Sequence, residues 1–298
     1  MEVQMMRLRG IIKLLLILAA DFGLAYHTLG EEAAIALTAG VAVYAWLGEY
    51  LALLKHGAIG PRHLREYEKN RLDGIMESLN EDVRQRFHRN ISRLKVSVIP
   101  SDEINAYAYG WRNMAVTRAL LNNCDDATVC AVLGHEVSHI LSLDAVASRM
   151  VFASMTVVLA GLIVTSFVSV SFIWIIFAML CALRICGGLF SMFLFRGFSS
   201  LIKGAFTLTQ HGVVIVYQTV MGLVSRSCEY RADRCSCQLG YGSQLSYFLS
   251  RFVEGQQAGT RSLSDLLYAS HPAPHKRIFR IEQRREETGL ATRDAAVH

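Results

Sequence analysis

Charge is scarce in this chain. Asp, Glu, Lys and Arg make up 18% of the 298 residues against 52% hydrophobic residues, a balance that excludes an ordinary soluble globule and requires part of the chain to lie in lipid. Between Arg149 and Arg184, 34 consecutive positions carry no charged side chain at all. No tract of basic residues alternates with aromatics, so the formal charge of +5 does not point to nucleic acid and reads as a signal of membrane orientation. Disulfide-framework spacing is missing as well. The seven cysteines, an odd count without pattern, fit reduced thiols facing a cytosol. Paired Cys-x-x-Cys knuckles are absent, which leaves Cys228 with Cys235-Ser236-Cys237 a poor candidate for a second metal. There is no internal repeat.

What the chain does contain begins with two apolar runs. Residues 11–29, interrupted by Lys13, Asp21 and His27, and residues 33–54 are each long enough to cross a hydrocarbon core of about 30 Å, with Gly30-Glu31-Glu32 as the turn. Arg7, Arg9 and Lys13 precede the first run, and Lys55, Arg62, Arg65, Lys69 and Arg71 follow the second, so the positive-inside bias places both flanks in the cytosol. A cleaved signal peptide fits poorly, because Leu18 and Ala20 would stand where two small residues are needed. Residues 61–92 are charged and helical in pattern, and residues 94–99 read as a short strand. Strand-like residues continue through 105–109 and 114–121, with Gly110 and Asn113 where a hairpin turns.

His135-Glu136-Val137-Ser138-His139 carries the chemistry. Positions i and i+4 stack on one face of a helix, so both imidazoles reach one metal ion and Glu136 lies beside them to handle its water. Asp125 or Asp126 caps this helix, and Val129, Val132, Leu133 and Ile140 recur at helical spacing. A surface helix with two solvated histidines is the bland alternative. A catalytic zinc takes three protein ligands and leaves a position for water. After the last apolar segment, Glu229 and Asp233 occupy i and i+4: Glu229 is placed to supply a carboxylate oxygen, and Asp233 to accept a hydrogen bond from a ligand histidine. For both halves to meet on one side of the membrane, the chain must cross an even number of times between them. That predicts a second hairpin within 150–224, either with its return on 205–224 or with both crossings before Phe195. Four spans result.

In this order of motifs the chain resembles the HtpX-type membrane zinc metalloproteases, relatives of the CAAX prenyl protease. The matching pieces are Asn105-Ala106-Tyr107-Ala108, the two histidines with Glu136 between them and Asp144 five residues on, Ser225-Arg226 with Glu229 and Asp233, and Ser270-His271-Pro272 followed by Arg277-Ile278. The resemblance implies an α+β, mainly helical membrane protein with a gluzincin-like zinc protease domain. It implies one zinc ion on His135, His139 and Glu229, Glu136 as general base, and His271 as a donor near the metal, with His275 a competing candidate. It also implies an edge strand at Asn105, Ala106, Tyr107, Ala108 and Tyr109 beside the substrate. The expected divisions are a first hairpin over 1–56, protease halves over 57–149 and 225–298, and a second hairpin over 150–224. The implied work is cleavage of damaged or misassembled membrane polypeptides from the cytosolic side of a bacterial inner membrane. With four spans the seven-helix chamber of the prenyl proteases is lacking, which argues against CAAX processing. Two other classes compete: a scaffold with a purely structural zinc, and a transporter using Asp21, His27 and Glu49 inside the bilayer.

Overall fold

The computed structural model describes residues 2–185, 188–253 and 274–288. Two helices open the chain, α1 (Glu2–Leu29) and α2 (Glu31–Lys55). They pack against each other across Gly30, whose φ of +90° suits a residue without a side chain. The turn is shorter than Gly30-Glu31-Glu32, because both glutamates enter the first turn of α2, where the helix dipole favours negative charge.

Helix α3 (Glu66–Phe87) buries Leu72, Ile75, Leu79 and Val83 along one stripe. Three short strands follow, β1 (Lys95–Ile99), β2 (Ala106–Ala108) and β3 (Asn113–Thr117), in the spatial order β1-β3-β2. β3 runs parallel to β1 and antiparallel to β2, and Ile59 bridges Val98 on the far side of β1. Among the described residues the outer side of β2 has no partner strand, so β2 is an edge. The strand expected over 114–121 stops at Thr117: its side chain accepts from the Leu120 amide and starts α4 (Arg118–Asn123). A local cap overrides strand propensity there.

Helix α5 (Asp126–Leu141) carries the two histidines and packs against α3, β2 and α8 (Gly242–Phe248). Then come the two longest helices, α6 (Asp144–Ala182) of 39 residues and α7 (Leu189–Gln238) of 50, about 58 and 75 Å long. The alternative with both crossings before Phe195 is overturned. α6 runs unbroken through the apolar stretch because no proline interrupts it, and the chain turns only after Ala182. After the turn comes α7, which carries Arg196, Lys203 and Gln210 and continues without a break through Glu229. Among the described residues α2, α6 and α7 are long and apolar enough to cross a membrane. The last helix described, α9, is Pro274–Thr288.

The chain divides into two compact units, one formed by Met1–Met150 with Gly222–His298 and one by Val151–Met221. In the first, the core joins Leu79 and Val83 of α3, Val98 and Val116 of the sheet, Val129, Leu133 and Val137 of α5, Leu239, Leu245 and Ile281. α1 belongs to this unit and touches α5 closely: a Cβ added at Gly10 would stand 2.5 Å from the Ser142 carbonyl oxygen. Gly10→Ala is therefore expected to lower stability by about 1–3 kcal/mol. Gly40→Ala, where nothing lies within 4 Å, should not. Thermal unfolding in detergent compares the two.

Candidate metal centre

Asp125 caps α5 by accepting from the Thr128 amide at 2.9 Å. Four turns of helix then bury Val129, Leu133 and Val137 and carry His135 and His139 to the same face. At its end the chain reverses through Leu143, at φ +57°, and α6 begins directly with Asp144. This tight reversal returns the Asp144 carboxylate to Nδ1 of His139, 3.0 Å away.

The second half arrives on α7. Small residues line the contact between the helices: Ala131 and Gly134 on α5 face Ala232 and Ser236, all buried, and Ser236 Oγ donates to the Ala131 carbonyl at 2.8 Å. A Cβ at Gly134 would already meet Leu239 at 3.2 Å. The close approach places Glu229 and Asp233, one turn apart, against the histidines. Asp233 Oδ1 lies 3.0 Å from His135 Nδ1. Glu229 Oε2 is 3.4 Å from His135 Nε2 and its Oε1 is 3.4 Å from His139 Nε2.

These distances test whether the residues fit a metal. Each Nδ1 proton is engaged by an aspartate, so each Nε2 presents a lone pair, and the two Nε2 atoms face each other at 3.2 Å. Ligand atoms at tetrahedral angles on bonds of about 2.0–2.1 Å stand about 3.3 Å from one another. Two imidazole nitrogens and a carboxylate at 3.2–3.4 Å match that spacing, and among the described residues this is the one such group of three. The site also favours positive charge. Burial alone would lower both imidazole pKa values, yet the surrounding carboxylates hold both above the ordinary histidine value, His139 well above it.

Glu136 is half-buried and adjoins this group, with no ion pair among the described residues. Ala106, Tyr107 and Ala108 form β2, and pairing extends one residue either way, through the Asn105 carbonyl to Thr117 N and the Tyr109 amide to Asn113 O. The Tyr109 hydroxyl is buried without a hydrogen-bond partner among the described residues. His271 lies outside the described residues, and His275 is exposed on α9.

Three cations at the site have no role in the motif reading. Arg277 on α9 forks onto Asp233 at 2.9 and 2.5 Å and reaches Glu229 Oε2 at 3.2 Å. Arg231 and Lys13 both hold Asp144, Lys13 at 2.7 Å. The only trace of Arg277 in the sequence is its position in the final motif. Nothing local marks Lys13, which comes 131 residues before its partner.

A family model described as Peptidase family M48 matches residues 66–285, most of the chain. The chain belongs to peptidase family M48. It is a metalloprotease, and the match spans both segments that meet at the centre. The Protease HtpX of Idiomarina loihiensis is 27% identical over 270 residues, covering 83% of this chain and 83% of that protein. The Protease HtpX homolog of Bacillus subtilis is 27% identical over 240 residues, covering 74% of this chain and 72% of the relative. Among solved structures, the crystal structure of S. mikatae Ste24p aligns with 70% of this chain and 49% of its own, at 19% identity and a TM-score of 0.42.

In this M48 chain Arg277 is the counter-charge to two buried carboxylates. Arg277→Met should cost about 3–5 kcal/mol by leaving them uncompensated. Arg277→Lys, which keeps the charge but not the fork, should cost less. Thermal unfolding gives both values, and equal losses would show that shape rather than charge matters.

Proposed function

We propose that this M48 metalloprotease is a zinc-dependent membrane endopeptidase that cleaves exposed segments of misfolded or damaged membrane proteins on the cytosolic side of a bacterial inner membrane. One observation carries the reading. His135, His139 and Glu229 converge at zinc-ligand spacing, and Glu136 stands next to them uncommitted to any ion pair among the described residues. Bound there, zinc would supply the Lewis acidity that polarises a peptide carbonyl and brings a water towards a neutral pKa.

The protein's own residues do the rest. Asp144 and Asp233 hold a proton on Nδ1 of each histidine and so orient Nε2 inward as the metal-facing atom. Glu136 accepts the proton of the attacking water and passes it to the departing amine. Substrate adds to the open side of β2 as an extended strand and is read through its backbone, so selectivity is broad, while Tyr107 and Tyr109 narrow the flanking pockets. His271 donates to the developing oxyanion. Substrate class follows from placement: the apolar helices α2, α6 and α7 hold the site at the bilayer, where termini and loops of membrane proteins are the nearest chains. Cleavage of its own chain follows from the same proximity.

A scaffold with structural zinc needs a fourth protein donor, and the group here has three among the described residues. A transporter role for Glu49 is disfavoured by its commitment to the backbone of Trp111 and Asn113.

Purified Glu136→Gln is expected to keep its zinc while casein cleavage and self-cleavage fall by about 10²–10⁴-fold. His139→Ala and Glu229→Ala should lose the zinc as well. Metal analysis beside a proteolysis assay separates these outcomes, and hydrolysis surviving in Glu136→Gln would remove Glu136 from the mechanism.

A further inference from the structure

Four arginines that make no ion pair among the described residues line one cavity of about 760 Å³. Arg7 comes from α1, Arg89 and Arg93 from the loop after α3, and Arg112 from the turn between β2 and β3. Among the described residues Glu49 is the only carboxylate on the wall, and its oxygens already accept from the amides of Trp111 at 3.2 Å and Asn113 at 3.1 Å. Arg7, Arg93 and Arg112 are exposed and Arg89 is half-buried, so three separate parts of the fold turn positive charge toward one solvent-reachable hollow, which attracts an anion.

The loop is set in advance. α3 ends at His88 in the left-handed conformation, the Asn80 side chain accepts from the Ile91 amide at 2.7 Å, and Asn90 accepts from the Ser92 amide at 2.7 Å. Arg89 and Arg93 are thus carried on a braced backbone. The remaining wall gives the location. Trp46 and Tyr50, in edge contact at 6.0 Å, lie in the second half of α2, and Arg7 lies in the first third of α1. These are the ends of the pair away from Gly30, where apolar sequence gives way to charge. Trp and Tyr gather at that depth of a bilayer because one end of the ring is apolar and the other wet.

We propose that this cavity binds the phosphate-bearing headgroup of an anionic phospholipid, with Arg89, Arg93 and Arg112 on the phosphate and Trp46 and Tyr50 beside the glycerol and upper acyl chain. Guanidinium forks suit phosphate oxygens, and a basic pocket beside the foot of a membrane helix is the general form such sites take.

The test uses the full chain in nanodiscs of phosphatidylcholine with a rising fraction of phosphatidylglycerol, and native mass spectrometry to count the lipid retained. Wild type should retain phosphatidylglycerol in preference to phosphatidylcholine. Arg93→Gln alone should weaken retention about fivefold, and Arg89→Gln/Arg93→Gln/Arg112→Gln by about a further fivefold for each additional arginine. The control Arg9→Gln/Lys55→Gln/Arg62→Gln removes as much charge from exposed positions outside the cavity and should leave retention close to wild type. Equal losses in the two triple variants would reduce the effect to diffuse surface attraction and overturn the proposal, as would the absence of any lipid preference. Inorganic phosphate supplied to lipid-free protein in detergent distinguishes the source: tight binding with the same arginine dependence would make this a site for free phosphate instead. Retention needs no proteolysis, so the result stands apart from the catalytic reading.

Discussion

Asp144 and Asp233 each engage the Nδ1 of one histidine, and the centre of the molecule rests on that pair of hydrogen bonds. With those protons committed outward, two Nε2 lone pairs and the Glu229 carboxylate point into one small space between largely buried side chains. Like dipoles so close repel, and only a proton or a cation between them removes the repulsion. The raised imidazole pKa values and the zinc-like spacing are two expressions of this single constraint. Around it stand Lys13, Arg231 and Arg277, which neutralise the aspartates and Glu229 from behind. The site is thus built as concentric shells of alternating charge, each making the next tolerable at this burial.

The elements that bring these groups together also tie the edge strand β2 to the apolar helices α2 and α6. Glu49 of α2 receives the Trp111 and Asn113 amides, while Arg149 of α6 donates to the carbonyls of Ala45 at 3.1 Å and Tyr109 at 2.6 Å. Gly110 lies between them, where a Cβ would collide with both the carboxylate and the guanidinium. A charged residue near one end of each of two mostly apolar helices is thus explained by a strand connection that needs its backbone groups satisfied. The edge strand cannot drift relative to the histidine helix, which packs directly against β2.

Some of this was legible in residue order because its causes are local. The spacing of His135 and His139, the cap at Asp125, the helical pattern of α3 and the apolar length of α2 each depend on neighbours within a turn or two. Residues 118–121 misled for a local reason as well: their composition suits a strand, and one hydroxyl at Thr117 decides for helix. The course of the second apolar region was ambiguous because Arg196 and Lys203 resemble a loop in a charge count, whereas the continuous hydrogen bonding of α7 carries them through.

By itself the sequence determined that two imidazoles share a helix face with Glu136 beside them, that long apolar stretches separate them from Glu229 and Asp233, and that the pieces follow the order of one peptidase family. Tertiary structure alone decided that Arg277, Arg231 and Lys13 neutralise the carboxylates, that Glu49 and Arg149 clamp the hairpin at Gly110, and that Gly134 and Ser236 set how closely α5 and α7 approach. The difference lies in range. Helical periodicity and caps are set between residues a few positions apart, while the choice of counter-ion for a buried carboxylate depends on which distant side chain the packed core delivers to within about 3 Å of it.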